Sequence, residues 1–359
     1  MPLFASIDVG SNTIRLLIAG VKDKRIIDVY YGRKITRLGT GISHTGKLLD
    51  KNIEASIAAL KEFSSIISKH GVRRVRAVAT SALREASNSD IFMEKVFADT
   101  GISIEVISGE KEAELILKGI LSFFQLAGQE SPPLSPPCQG GVVGGYHCRK
   151  GEHGGLFILD MGGGSTEWIL YRKERHDDRT RPQVEMGSIP VGVIKLAGSF
   201  IKTDPVSEAD IKNLNDEIVL YVNDLKARIG KHINSDTRFI GTAGTFSTIA
   251  SVDLGLETYS REKIHLHSLP LSRLQDMSRR LLSLMLEERK NVRGLEPERA
   301  DLIIPGLQFT IKMMEFFDFD ELTVSDYGLL EGVLFDIFSE VRHGGKETHG
   351  NNIPQTGKP

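Results

Sequence analysis

One pattern occurs twice along the chain, and no other feature narrows the possible folds as much. Ile7-Asp8-Val9-Gly10-Ser11-Asn12-Thr13 matches Leu159-Asp160-Met161-Gly162-Gly163-Gly164-Ser165: in each, an apolar strand ends in Asp and turns through glycine and hydroxyl residues into a second strand. The surroundings repeat as well. Residues 3–9, 13–21 and 25–37 read as three strands joined by short turns, followed by a helix over about 52–70 and a strand at 74–79. The second copy opens with strands at 156–160, 167–172 and 183–189, then a long helix ending near Ile233 and a strand at 238–241. A helix at 90–99, a strand at 102–107 and a helix at 109–124 follow in the first half. Helices at about 271–288 and 298–317, a strand at 321–324 and a helix at 326–341 follow in the second. Both halves open β-β-β-α-β, which predicts two related α/β lobes facing each other, with a ligand in a central cleft.

At 359 residues the chain exceeds what one core usually serves, so two lobes suit its length. Lobe I is expected at 1–125 and lobe II at 156–327, with the helix at about 328–342 packing back on lobe I. Periodicity vanishes over 126–155, where Ser131-Pro132-Pro133-Leu134-Ser135-Pro136-Pro137 and several Gly-Gly pairs predict a flexible connector. The polar stretch 343–359 is expected to be a disordered tail. Both cysteines, Cys138 and Cys148, fall in the connector and imply no disulfide framework. With His147 and His153 they match no standard zinc-finger spacing.

The formal charge, 45 − 47 = −2, argues against a nucleic-acid partner recruited by a large positive field. Its distribution is uneven, because residues 1–84 hold fifteen Lys or Arg against six Asp or Glu, or +9, leaving −11 for the rest. A positive N-terminal lobe would draw in a polyanion, while ordinary solvated surface charge gives the same count. The sequence enters a strand-like run by Leu3 without a leader pattern, and no apolar run approaches ~18 residues. A cytoplasmic protein with no membrane partner is expected.

Hairpins of glycine and small hydroxyl residues bring several backbone N–H groups to one point, and such donors bind phosphate oxygens without a lysine. Gly10-Ser11-Asn12-Thr13 and Gly162-Gly163-Gly164-Ser165-Thr166 have that composition. So does Gly241-Thr242-Ala243-Gly244-Thr245, which follows a strand and opens a helix whose N-terminus adds its dipole; Gly241, Gly244 and Thr245 are its candidate phosphate contacts. Taken singly, each is also an ordinary tight turn. Asp8 and Asp160 end their strands at such loops and Glu167 starts the strand after the second, so these three are the candidate ligands of Mg²⁺, which takes hard oxygens beside phosphate. The same aspartates also suit a role as acceptors for loop N–H groups.

In Ser108-Gly109-Glu110-Lys111-Glu112-Ala113, Ser108 is a plausible N-cap and Glu112 lies in the first helical turn beside the apolar stripe 113, 116, 117, 120, 121 and 124. A carboxylate there is suited to take a proton from an attacking water, and equally to serve helix stability alone. Thr80-Ser81-Ala82-Leu83-Arg84 follows a strand end, where Arg84 would clamp phosphate or form a surface ion pair. Gly41-Ile42-Ser43-His44-Thr45-Gly46-Lys47-Leu48 nearly spells a nucleotide-binding P-loop, but Leu48 stands where a metal-binding hydroxyl is needed and no strand leads in.

Together these segments resemble the exopolyphosphatase and guanosine pentaphosphate phosphohydrolase (Ppx/GppA) family, within the actin, sugar kinase and heat-shock ATPase superfamily. The likeness rests on the two repeats, Ala79 to Arg84, Ile107 to Ala113, Gly241 to Thr245, Glu298-Arg299-Ala300-Asp301 and Ser325-Asp326-Tyr327-Gly328-Leu329-Leu330-Glu331-Gly332. It implies two actin-like, ribonuclease H-like lobes in the short two-domain form. It also implies release of the terminal phosphate of polyphosphate, or of the 5′ γ-phosphate of guanosine pentaphosphate, to water. The catalytic glutamate falls on Glu112, the metal-binding acids on Asp160 and Glu167, and phosphate contacts on the three loops and Arg84. Two departures stand out: Lys111 precedes Glu112 where paired glutamates are common, and the connector is longer than usual. An actin-like kinase and a non-catalytic polyphosphate or alarmone sensor are the rival readings, and a homodimer is left open.

Overall fold

The computed structural model describes residues 1–22, 25–126, 155–172 and 182–342. The connector with its Cys138, His147, Cys148 and His153, and the 343–359 tail, lie outside the described residues. The chain divides into two compact units, Met1–Gly128 with Tyr327–Pro359, and Gln129–Asp326.

In the first unit, β1 (Leu3–Val9), β2 (Thr13–Lys22) and β3 (Arg25–Ile35) form an antiparallel meander, and β4 (Arg74–Ala79) and β5 (Ile104–Val106) extend it in parallel, in the order β3-β2-β1-β4-β5. Central β1 is buried on both faces, as a strand covered on each side by helices must be. Ala5, Ile7 and Val9 join the core of Leu60, Phe63 and Ile67 from the Asp50–Lys69 helix. Phe4 faces the other way and meets Phe338 edge to face at 4.7 Å. Phe338 belongs to the last helix, Leu329–Arg342, which packs on the Gly109–Leu126 helix. A methyl at Gly119 would sit 1.9 Å from the Gly328 carbonyl oxygen, and one at Gly332 1.9 Å from that of Leu115, so only glycine permits this crossing.

The second unit contains β6 (Leu156–Met161), β7 (Thr166–Arg172), β8 (Gln183–Ile189), β9 (Arg238–Thr242), β10 (Ser268–Pro270) and β11 (Glu321–Val324), in the order β10-β11-β9-β6-β7-β8. Without the short antiparallel β10, the order β8-β7-β6-β9-β11 reproduces that of the first unit, strand for strand and direction for direction. The duplication read in the sequence is therefore a duplication of topology. Phe157, Phe239 and Phe319 stack at 5.2–5.8 Å between ring centres and tie β6 and β9 to the segment that leads into β11.

Some boundaries differ from expectation. The helix expected at 271–288 is two helices, Leu271–Leu282 and Leu286–Arg289, because the Glu288 side chain accepts the Met285 N–H and starts a new turn. The 298–317 helix starts at Ile303, after a separate 3₁₀ turn at Pro297–Arg299. After the strand end, Thr80 leads directly into a short helix, Ser81–Glu85, which carries Arg84. In the P-loop look-alike, Gly41 and Gly46 have φ of 87° and 66° and bracket a four-residue helix, Ile42–Thr45. Among the described residues no helix is long and apolar enough to cross a membrane.

Candidate active site

The two hairpin loops are closed alike. Gly10 N–H donates to the Thr13 carbonyl at 3.1 Å, and Gly162 N–H to the Ser165 carbonyl at 3.0 Å. Each is also gripped from behind by the segment that follows the third strand of its meander. Thr36 and Arg37 N–H both reach the Asn12 carbonyl at 3.0 Å, and Gly39 N–H reaches that of Ser11 at 2.7 Å. In the second unit, Val193 and Ile194 N–H reach the carbonyls of Gly162 and Gly163 at 3.1 and 2.9 Å. A trans peptide points its N–H opposite to its C=O, so turning these carbonyls toward the support turns the amides of Asn12, Gly163 and Gly164 away from it. Both grips need glycine at close approach. A Cβ at Gly39 would lie 2.7 Å from Ser11 Cβ, and one at Gly192 2.5 Å from the Gly162 carbonyl oxygen. Gly39 and Gly192 carried no motif, so reading the sequence missed them.

Two hydroxyls of these motifs are bonded to the framework. Thr166 Oγ1 donates to the Val191 carbonyl at 2.7 Å, and Thr245 Oγ1 to that of Met161 at 2.8 Å. A hydroxyl has one proton to give, and both of these protons are given to framework carbonyls. The amide and carbonyl of the Asn12 side chain are buried and have no hydrogen-bond partner.

The third motif is a strand–helix junction. β9 runs through Gly241 and Thr242, Ala243 takes φ 69°, and the Ala243–Leu254 helix starts at once. Thr245 ties that N-terminus to the end of β6 through Met161. Arg299, nearly buried and bonded through Nε to Glu296 at 3.0 Å, lies against Gly244, where a Cβ would come within 2.6 Å of its guanidinium. Arg299 had been noted only as part of a family motif; its place over this helix end was not foreseen.

The acidic candidates separate sharply. Asp160 and Glu167 are register partners on antiparallel β6 and β7, so their side chains stand next to each other on one sheet face. Both are buried, and Ser188 Oγ donates to Glu167 Oε1 at 2.7 Å. Two adjacent buried carboxylates repel unless a cation or a proton lies between them, and Mg²⁺ commonly takes one or two carboxylates with waters and substrate oxygens completing its shell. Two adjacent carboxylates fit that ion as two of its oxygen ligands. Asp8 is different. Arg15 Nε and Nη2 both donate to its Oδ2, at 2.9 and 2.6 Å. The expected assignment of Asp8 as a metal ligand meets a physical objection, since a guanidinium already neutralises that carboxylate and repels a second cation.

Glu112 and Arg84 are brought together. Ser108 caps the Gly109–Leu126 helix by accepting the Lys111 N–H at 3.1 Å, which places Glu112 in the first turn. Ile107 N–H bonds to the Ala79 carbonyl and brings the residues after β4 beside the start of this helix. Arg84 Nη1 then donates to Glu112 Oε2 at 2.8 Å and to the Ile107 carbonyl at 2.9 Å. Glu112 is 6% exposed and Arg84 half-buried, so the surface ion pair weighed for Arg84 is a partly buried one. Nearby Glu110 is held below the usual carboxylate range by hydrogen bonds from its own N–H and from Ser108, with Arg84 adding to the effect.

Two α/β units of matching sheet topology, each with a glycine-rich hairpin, define the class of fold, with a buried acid pair in the second unit and an acid–arginine pair in the first. The Ppx/GppA phosphatase family matches residues 17–131 and 140–341, and the chain belongs to that family. It is 29% identical to the bifunctional 3-dehydroquinate synthase/phosphatase of Fusobacterium nucleatum, over 93% of this chain but 46% of that protein, so it spans about half of that relative. It is 27% identical to exopolyphosphatase 2 of Mycobacterium tuberculosis, over 93% of this chain and 98% of that one. The guanosine-5′-triphosphate,3′-diphosphate pyrophosphatase of Vibrio vulnificus is 26% identical, over 95% of this chain and 60% of that protein. Among solved structures, a Ppx/GppA family member from Aquifex aeolicus superposes with a TM-score of 0.70 at 29% identity, covering 96% of this chain and 99% of that one.

Proposed function

We propose that the chain is a Mg²⁺-dependent phosphohydrolase that releases the terminal phosphate of polyphosphate, the 5′ γ-phosphate of guanosine pentaphosphate, or both. The observation that carries this reading is Glu112, a buried carboxylate in a helical first turn with its orientation fixed by Arg84. Glu112 takes a proton from the water that attacks the terminal phosphorus. As the new P–O bond forms, the bridging P–O bond breaks, and the products are orthophosphate and a substrate one phosphate shorter. Backbone amides of the two hairpins and of the Ala243–Leu254 helix N-terminus hold non-bridging oxygens, where preformed dipoles need no reorganisation. Arg84 aligns Glu112 and supplies positive charge near the reacting group. Asp160 and Glu167 would hold Mg²⁺, which when bound neutralises charge developing on phosphate oxygens. The names of the exopolyphosphatase and guanosine-phosphate pyrophosphatase relatives support both substrates.

Orthophosphate release from long-chain polyphosphate and from guanosine pentaphosphate, each with and without Mg²⁺, tests the reading directly. Glu112→Gln keeps the shape and removes the base, so turnover should fall by about 10²–10⁴-fold while substrate binding persists. Binding by the native chain without turnover of either substrate would make it a sensor; full turnover by Glu112→Gln would remove the assigned base.

A further inference from the structure

The two copies of the repeat differ in charge at one matched position. Counting from the repeated Asp, Arg15 in β2 corresponds to Glu167 in β7: Asp8 is register partner of Arg15, as Asp160 is of Glu167. One sheet therefore presents two acids side by side, and the other an acid beside a base. In the first unit Asp8 is buried and Arg15 donates to its Oδ2 at 2.9 and 2.6 Å, while Oδ1 is buried without a hydrogen-bond partner. The pair also lies at the loop, since Asp8 Oδ1 is 3.9 Å from where a Gly10 Cβ would stand.

We propose that Arg15 is a built-in substitute for a metal ion: the duplicated acid pair holds a divalent cation only in the second unit, and in the first a guanidinium supplies the charge permanently. This inference rests on the metal assignment to Asp160 and Glu167 made above. Asp8 is then a positioning residue that orients Arg15 beside the first loop. The chain binds one divalent ion, and each unit keeps one cationic centre at its hairpin.

The test counts bound Mn²⁺, an EPR-visible stand-in for Mg²⁺, on the full chain by EPR and isothermal titration, with no turnover needed. One ion is expected in the native chain. Asp160→Asn should weaken it by more than about 10-fold, and Asp8→Asn should leave it in place. Arg15→Glu rebuilds the acid pair in the first unit and should raise the count to two; circular dichroism shows whether this variant folds, and if it does not, the Asp8 and Asp160 variants decide alone. Two ions in the native chain, or loss of the ion in Asp8→Asn, would overturn the inference and leave the phosphohydrolase reading standing. An ion unaffected by both aspartate variants would instead remove the metal assignment on which the inference rests.

Discussion

Arg84 and Glu112 show how far one residue's role is readable before its partner is known. Glu112 was legible because the Ser108 cap and the apolar stripe behind it place a carboxylate in the first turn whatever else the chain does. The arginine's position was legible too, just past a strand end. Their pairing was not, because it depends on parallel β4 and β5 lying side by side, which brings Ile107 against Ala79. The same limit applies to Arg15, whose meaning appears only when the register of β1 and β2 sets it opposite Asp8. At this scale the geometry makes a specific demand on Arg84: one nitrogen of a rigid planar fork serves both Glu112 and the Ile107 carbonyl. Lysine carries the charge but lacks the fork. Arg84→Lys should therefore lower kcat by roughly 10-fold or more through misalignment of Glu112, with thermal stability little changed. Steady-state phosphate release beside a melting curve checks it, and native kcat in Arg84→Lys would show that charge alone suffices.

Among the elements, the Gly109–Leu126 helix matters most because it carries Glu112, and two devices fix it. One is the glycine crossing with the Leu329–Arg342 helix, where Gly119→Ala would drive a methyl to 1.9 Å from the Gly328 oxygen. Alanine gains about 1 kcal/mol in helix propensity, but overpacking against a backbone atom costs about 3 kcal/mol or more, so the net effect should be destabilising. Urea denaturation should show a lower midpoint; a higher one would mean that the helices slide apart freely. The other device is the cluster around Asp336, which bonds to Lys118 at 2.8 Å and Arg76 at 3.1 Å, with Lys111 at 3.6 Å. Burial pulls the Asp336 carboxyl up, but Lys118, Lys111 and Arg76 outweigh it and hold it below the ordinary aspartate range. A folded-state value below the unfolded one means that these pairs stabilise fully above the unfolded value of about 3.9. Their contribution is lost as pH falls through the depressed folded value. Asp336→Asn should thus flatten the acid side of the stability profile below about pH 4, which urea midpoints across that range would measure. The helices themselves were legible from periodicity, whereas Gly119 and Gly332 were not marked as a crossing, because a small residue inside a helix looks like any other until its neighbour is known.

At the level of the whole molecule, the repeated Asp-Gly hairpin carried most of the information. It implied two β-β-β-α-β halves, and both sheets have the same order and directions because duplicated local patterns are buried by duplicated packing. The duplicated α/β architecture was thus readable from one repeat. The last helix was expected to pack back on the first lobe, and its apolar stripe requires that it pack somewhere. It belongs to the first unit although most of the chain separates it from that unit's strands. Leu329, Leu330, Val333, Leu334 and Ile337 are all buried there. At about 1.5–3 kcal/mol for each buried side chain, the helix contributes on the order of 10 kcal/mol, comparable with the roughly 5–15 kcal/mol that holds a domain together. The second unit has its own core, which includes Phe157, Phe239 and Phe246. A chain ending at Asp326 should therefore lose hydrogen-exchange protection at the amides of β1, β2 and β4 while keeping it in β6 and β9. Equal protection in both sheets would mean that the first unit folds without its returning helix, and then the packing at Gly119 and Gly332 would be dispensable for placing Glu112.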